Sequence, residues 1–237
     1  MKRLFALFGI VLCSAVILGQ NRTGVENLAD FDERLFHFGF ALGFNKSNFY
    51  MVTNNNNYNL DGDSLIGVSV DPQSGFNLGI VSSLNITNSL KLRFIPSLSF
   101  QERMVDYSYK MPNIIDTIFT QQQRVESTFL DFPFNFKFRT YRAHNFAASF
   151  IVGGKYSLDM ASQQDVTEDA ILKIKKPDYS FELGVGTDFF LQYFKFGLEL
   201  KYSMGFPNAL IQENNQWSRP IDSLRNQMWL FSITFEG

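Results

Sequence analysis

STFLDFPFNFKFRTY, residues 127–141, is the stretch whose reading decides the fold. Leu130, Phe132, Phe134, Phe136 and Phe138 hold every second position, and Asp131, Pro133, Asn135, Lys137 and Arg139 fill the gaps. A period of two belongs to a strand, whose successive side chains point to opposite faces. Five large apolar side chains on one face, with charges opposite, fit a strand whose apolar face meets lipid and whose polar face meets the inside of a closed barrel. Closure matters because hydrocarbon offers no partner to an unpaired backbone edge.

The rest of the composition agrees. The chain has 237 residues, the size of one domain or one barrel. It carries 27 Phe and only 19% charged residues, yet its mean hydropathy is −0.08. A helical membrane protein needs runs of about 20 apolar residues, and the one run approaching that is N-terminal. Alternating strands dilute their apolar residues with polar ones, so a membrane barrel is no more hydrophobic on average than a soluble protein.

Met1-Lys2-Arg3, the apolar stretch from Leu4 to Leu18 and then Gly19-Gln20 read as a secretory signal peptide, residues 1–19, cleaved after Gly19. Cys13 follows Leu12, where a lipoprotein signal requires a small residue. Removal of the signal peptide removes the sole cysteine, so no disulfide framework is expected. It also takes Lys2 and Arg3, leaving 19 basic against 23 acidic residues, a net charge of −4. No clustered basic face calls for nucleic acid. Residues 20–32 are expected as a periplasmic segment, ordered where it meets the barrel, and residues 33–237 as the barrel domain.

Alternation predicts eight strands, at about 34–45, 75–86, 90–101, 127–141, 146–159, 178–189, 194–205 and 224–236. Long polar stretches at 50–73, 102–125, 160–177 and 206–223 read as loops by their turn chemistry, and 87–89, 142–145 and 191–192 as tight turns. An even strand count, with long and short connections alternating, is the topology of an outer-membrane up-and-down barrel with loops outside and both termini in the periplasm. Outer-membrane lipid is its expected surrounding.

The inward positions supply Lys91, Arg93, Lys137, Arg139, Lys155, Lys195 and Lys201 against Asp131, Asp159, Glu182, Asp188, Glu199 and Glu236. A barrel of about eight strands is wide enough only for its own side chains. These charges are therefore expected to pair as a plug, because an unpaired buried charge costs several kcal/mol. Pro96 and Pro133 interrupt strands three and four and predict a bulge in each.

Nothing points to catalysis, a metal or a cofactor. A lipid-modifying barrel needs a serine beside a histidine, and nothing places one beside His37, which is expected to make a hydrogen bond in the lumen. His144 falls in a turn. Asp61-Gly62-Asp63 lacks the rest of a calcium loop. Gly184-Val185-Gly186 lacks the strand-turn-helix setting of a dinucleotide motif. Asp63-Ser64-Leu65, Asp116-Thr117-Ile118 and Asp222-Ser223-Leu224 look like the three-residue O-glycosylation pattern of Bacteroidetes, in expected external loops.

The signal peptide, the Phe-rich strands and Phe129-Leu130-Asp131-Phe132-Pro133 followed by Lys137 resemble the PorT family of Bacteroidetes outer-membrane barrels. That resemblance implies a non-enzymatic subunit of the type IX secretion system, needed for cargo export and in some cases gliding, with other secretion components as partners. The alternative is a free-standing barrel that binds at the surface through its loops or passes small solutes.

Overall fold

The computed structural model describes residues 26–54, 59–60, 63–110, 118–162, 172–213 and 215–237. The expected signal peptide, Asp61-Gly62 and Asp116-Thr117 lie outside the described residues. The strands in chain order are β1 Phe36–Thr53, β2 Asn59–Leu60, β3 Asp63–Asn85, β4 Leu90–Phe94, β5 Ser97–Lys110, β6 Ile118–Arg139, β7 Phe146–Asp159, β8 Pro177–Phe190, β9 Lys195–Gly205 and β10 Ile221–Glu236. β4 and β5 lie in line and form one stave, and β2 is a two-residue piece paired to β3. The eight staves pair antiparallel, each with the next. The ring closes where β1 pairs with β10, from Gly39 opposite Glu236 onward, and with β3, from Phe36 opposite Leu84 onward. This is the expected eight-stranded antiparallel up-and-down barrel.

Side-chain direction follows the period of two. Phe44 is 67% exposed on the outer wall, whereas His37, seven residues earlier on the same strand, is 1% exposed inside. On β6 the outward apolar run extends from Leu130 to Phe138. Nine residues at about 3.3 Å each, tilted about 40°, climb about 23 Å, close to the apolar band of about 25 Å on such barrels. A ring of aromatics marks one rim of this belt. Tyr156 and Tyr179 lie 5.0 Å apart, and Tyr202 and Trp229 lie 4.9 Å apart. Exposed Tyr141 and Tyr193 lie in the short turns at the opposite rim.

Among the described residues, two of the four expected loops are mostly strand instead. β1 runs on to Thr53 and β3 starts at Asp63; β5 reaches Lys110 and β6 starts at Ile118. The physical reason is an inversion of the pattern. Beyond Phe100, Arg103, Val105, Tyr107 and Tyr109 of β5 turn inward and are buried, while Glu102, Asp106 and Ser108 turn outward. Cross-strand from them, Arg124 and Glu126 also face out. Here the outer face meets water and the inner face is apolar, so the composition reads as loop although the period of two continues. The wall made by β3, β5 and β6 therefore rises well past β8 and β9, at 23 and 22 residues for β3 and β6 against 14 and 11.

The expected bulges at Pro96 and Pro133 are absent. Phe94 faces Phe134 and Ser97 faces Asp131, so the stave breaks at residues 95 and 96 without changing register. Pro133 lies within β6, and its pairing to β7 is unshifted. Each proline forfeits a single donor while its carbonyl still accepts, from Ile80 at 3.0 Å for Pro96 and from Ile95 at 3.4 Å for Pro133. Shifts occur elsewhere, between β3 and β5 at Leu65/Gly67 and at Pro72/Phe76. Of the glycosylation-like triplets, 63–65 lies in β3 and 222–224 opens β10 with Leu224 buried, so neither sits in an open loop.

Candidate functional site

The lumen is the candidate site, because alternation on six of the eight staves, all but β1 and β3, aims charge into it. All thirteen charges expected there are buried. Arg93 reaches Glu199 and, at 2.9 Å, Glu236. Lys195 meets Glu236 at 2.8 Å, and Lys137 bridges Asp188 at 2.8 Å and Glu199 at 2.9 Å. Nearer the long loops, Lys155 lies 3.6 Å from Asp131 and 3.7 Å from Glu182. Asp131 also accepts from Ser157 at 2.5 Å, and Glu182 from Asn135 at 2.8 Å. The voids between these groups measure about 20 and 10 Å³, room for about one water each.

Three charges escaped the sequence reading. Arg103 lies between the rings of Phe49 and Phe129, at 4.9 and 5.3 Å, and donates to Ser127 at 3.3 Å. Asp178 accepts from Asn226 at 2.9 Å. Asp32 enters from the N-terminal segment. With these three, the lumen holds eight basic and eight acidic side chains among the described residues. Continuing the period of two through residues 102–110 finds Arg103, and the parity of Ser180 and Glu182 finds Asp178. No periodic signal marks Asp32.

Each end of the lumen is covered. At the loop end, Val105, Tyr107 and Tyr109 pack with Leu172, Ile174, Leu210 and Trp217 from the two long connections after β7 and β9. Tyr107 donates to the carbonyl of Trp217 at 2.7 Å, with the two rings 5.0 Å apart edge to face. At the turn end, residues 26–33 lie across the mouth. Phe31 stacks on His37 at 3.7 Å and meets Phe190 edge to face at 5.9 Å. Asp32 accepts from both terminal nitrogens of Arg139 and pairs with Lys91 at 3.2 Å. Burial acts to raise the Asp32 carboxyl, but Arg139 and Lys91 outweigh it and hold the group below its ordinary value. Asn27 and Arg142 fasten the segment to the β6–β7 turn.

His37 Nε2 lies 3.0 Å from Asn85 and its ring stacks on Phe31. Contrary to the expectation, a serine does lie beside it, since buried Ser83 faces it across β1 and β3, but among the described residues no hydrogen bond joins the two. His144 sits in its turn with φ 58°. Among the described residues no group of three His, Cys, Asp or Glu side chains is arranged to hold a metal ion.

Residues 19–210 match the family model described as the outer membrane protein beta-barrel domain. The chain belongs to that family. It is an outer-membrane β-barrel, with a Phe-rich belt on its outer wall and paired charge within. No curated protein matches the sequence. Among solved structures, the barrel is similar to the outer membrane protein OprG of Pseudomonas aeruginosa at 11% identity, with 85% of this chain and 93% of that chain covered and a TM-score of 0.46. It is also similar to Ail, the attachment invasion locus protein of Yersinia pestis, at 13% identity over 86% and 100% of the chains, TM-score 0.38. The protease OmpT of Escherichia coli aligns at 10% identity over 90% and 98%, TM-score 0.37. Likeness at this level carries no activity from those proteins to this one.

Proposed function

We propose that this barrel is a non-enzymatic outer-membrane subunit serving assembly or operation of a type IX secretion machine, with its turns and termini in the periplasm and its long loops outside. The observation that carries the reading is a lumen filled by its own ion pairs and covered at both ends. Such a barrel has no path for a polypeptide, so a role in export would be exercised through contacts with other components. The resemblance of Phe129-Leu130-Asp131-Phe132-Pro133 and Lys137 to the PorT pattern supports the choice of machine. An in-frame deletion in the native bacterium tests it. The expected result is loss of secreted cargo from the medium, accumulation inside the cell and recovery with the gene restored on a plasmid. Unchanged secretion overturns the role.

A free-standing surface-binding barrel is the second reading. It is favoured by the wall of β3, β5 and β6 standing beyond the belt with a polar outer face. The two readings separate in the deletion strain, where a surface binder leaves cargo export untouched.

A further inference from the structure

Of the ten residues from Glu26 to Leu35, Phe31 alone is buried. The segment is held the way a short linear motif is held, by one ring in a slot and one carboxylate in a fork, while Ala29, Asp30, Glu33 and Arg34 stay exposed. The slot itself is made by the barrel. His37 comes from β1, Lys91 from β4, Arg139 from β6, Phe190 from β8 and Lys195 from β9.

The chemistry of that slot is selective. Among the described residues, Asp32 is the one carboxylate within ion-pair distance of Lys91 and Arg139, both buried. Two buried cations without a counter-ion are costly, so the slot calls for an anion. The Arg139 fork fits the planar, two-oxygen geometry of a carboxylate. Beside it, Lys91 and Lys195 lie over the Phe31 ring at 5.3 and 4.9 Å, which favours an aromatic ring at that position. Seating the chain's own motif also has a cost. Leu28 is forced to φ 52°, ψ 51°, the left-handed region that a side chain with a Cβ adopts only under strain. The tether to β1 offsets this through high effective concentration, whereas an untethered peptide need not adopt that turn.

We infer that the turn-end mouth is a peptide-binding site for an aromatic residue followed by an acidic one, filled in cis by Phe31-Asp32 and open in trans to a partner polypeptide carrying the same pair. The site stands independently of the secretion role. The test uses the purified, folded barrel in detergent, with folding verified by heat-modifiable gel migration. A dye-labelled peptide of residues 26–34, ENLADFDER, is titrated by anisotropy into the wild type and into the double variant Phe31→Ala/Asp32→Ala. The expected result is saturable binding to the double variant, about tenfold or more tighter in apparent affinity than to the wild type, whose slot is occupied. Peptides carrying Asp32→Asn or Phe31→Ala should bind about tenfold or more weakly. Absence of saturable binding to the folded double variant, or equal binding of the substituted peptides, overturns the site. Should the double variant not fold, a spin label on Ala29→Cys in the otherwise wild-type barrel reads the same exchange. Excess ENLADFDER should raise the mobility of the label, and unchanged mobility at about millimolar peptide overturns the inference.

Discussion

Arg139 grips Asp32 with both terminal nitrogens, Nη1 to Oδ1 at 2.8 Å and Nη2 to Oδ2 at 2.7 Å. Asp32→Asn keeps the size of the side chain and removes its charge, leaving Lys91 and Arg139 facing each other without a carboxylate. We expect a loss of about 2 kcal/mol in seating the segment, in line with hydrogen bonds to charged groups. Since about 1.4 kcal/mol is a factor of ten, limited proteolysis should cut between residues 26 and 35 roughly tenfold faster or more. An unchanged cleavage rate counts against the seat.

The same contact sets a pH dependence. Asp32 has a carboxyl held below its ordinary value, so the stability it lends is fully present above that value and is lost as the pH falls through the lowered one. Lys91 and Arg139 face it from β4 and β6, with Lys195 and His37 nearby. Protease protection of residues 26–35 should therefore be flat from neutral pH down to the ordinary carboxylate range and weaken only below it. Weakening already between pH 6 and 7 would count against Asp32 as the group responsible.

Glu199 lies between Arg93 and Lys137 in the middle of the lumen. Glu199→Gln leaves two buried cations short of one carboxylate and should cost about 3–5 kcal/mol. Glu126, exposed on the outer wall 3.7 Å from Arg124, should cost less than about 1 kcal/mol on the same change. Urea midpoints of the two variants in matched micelles give the comparison, and equal costs would refute a load-carrying lumen network.

Gly153 passes so close to β6 that a Cβ there would lie 2.1 Å from Asn135 Oδ1 and 2.2 Å from the Phe134 carbonyl. One of those contacts is backbone, which cannot swing away. Gly153→Ala should destabilise by about 1–3 kcal/mol, read as an earlier loss of the heat-resistant folded band. Gly67, with open space around its Cβ position, is the control and should tolerate alanine far better.

Trp229 faces outward in the belt while Trp217 is buried under the loop-end cap. In single-tryptophan variants reconstituted into brominated lipid, Trp229 should be strongly quenched and Trp217 barely. The reverse order would overturn the depth of the barrel in the membrane.

The membrane half of the barrel was legible because lipid outside and charge inside amplify the period of two. Phe36 to Phe44 and Leu130 to Phe138 can be read without ambiguity. Beyond Phe100 the solvent on the outer face changes from lipid to water, the pattern inverts, and Tyr107 and Tyr109 pass for loop residues. The paired lumen was legible from near-neutral inward charge, and Arg103 was lost along with the strand that carries it. Pro96 and Pro133 misled because a missing donor was equated with a shift in pairing, whereas each stave keeps its register. Phe31 and Asp32 left no signal, because a single ring and a single carboxylate in a polar segment have no period to betray them; only the cations waiting in the mouth reveal their role.

The inversion on β5 also makes the barrel a gauge of bilayer thickness. Below Phe100 the strand greases its outer face, and above it the grease moves inside, so the molecule has one depth at which every side chain is content. Sliding outward by two residues lifts Tyr202 and Trp229 off the interface; sliding inward drags Glu102, Arg124 and Glu126 into hydrocarbon. A bilayer thicker or thinner than the belt must bend to meet it, at a fraction of a kcal/mol for each ångström.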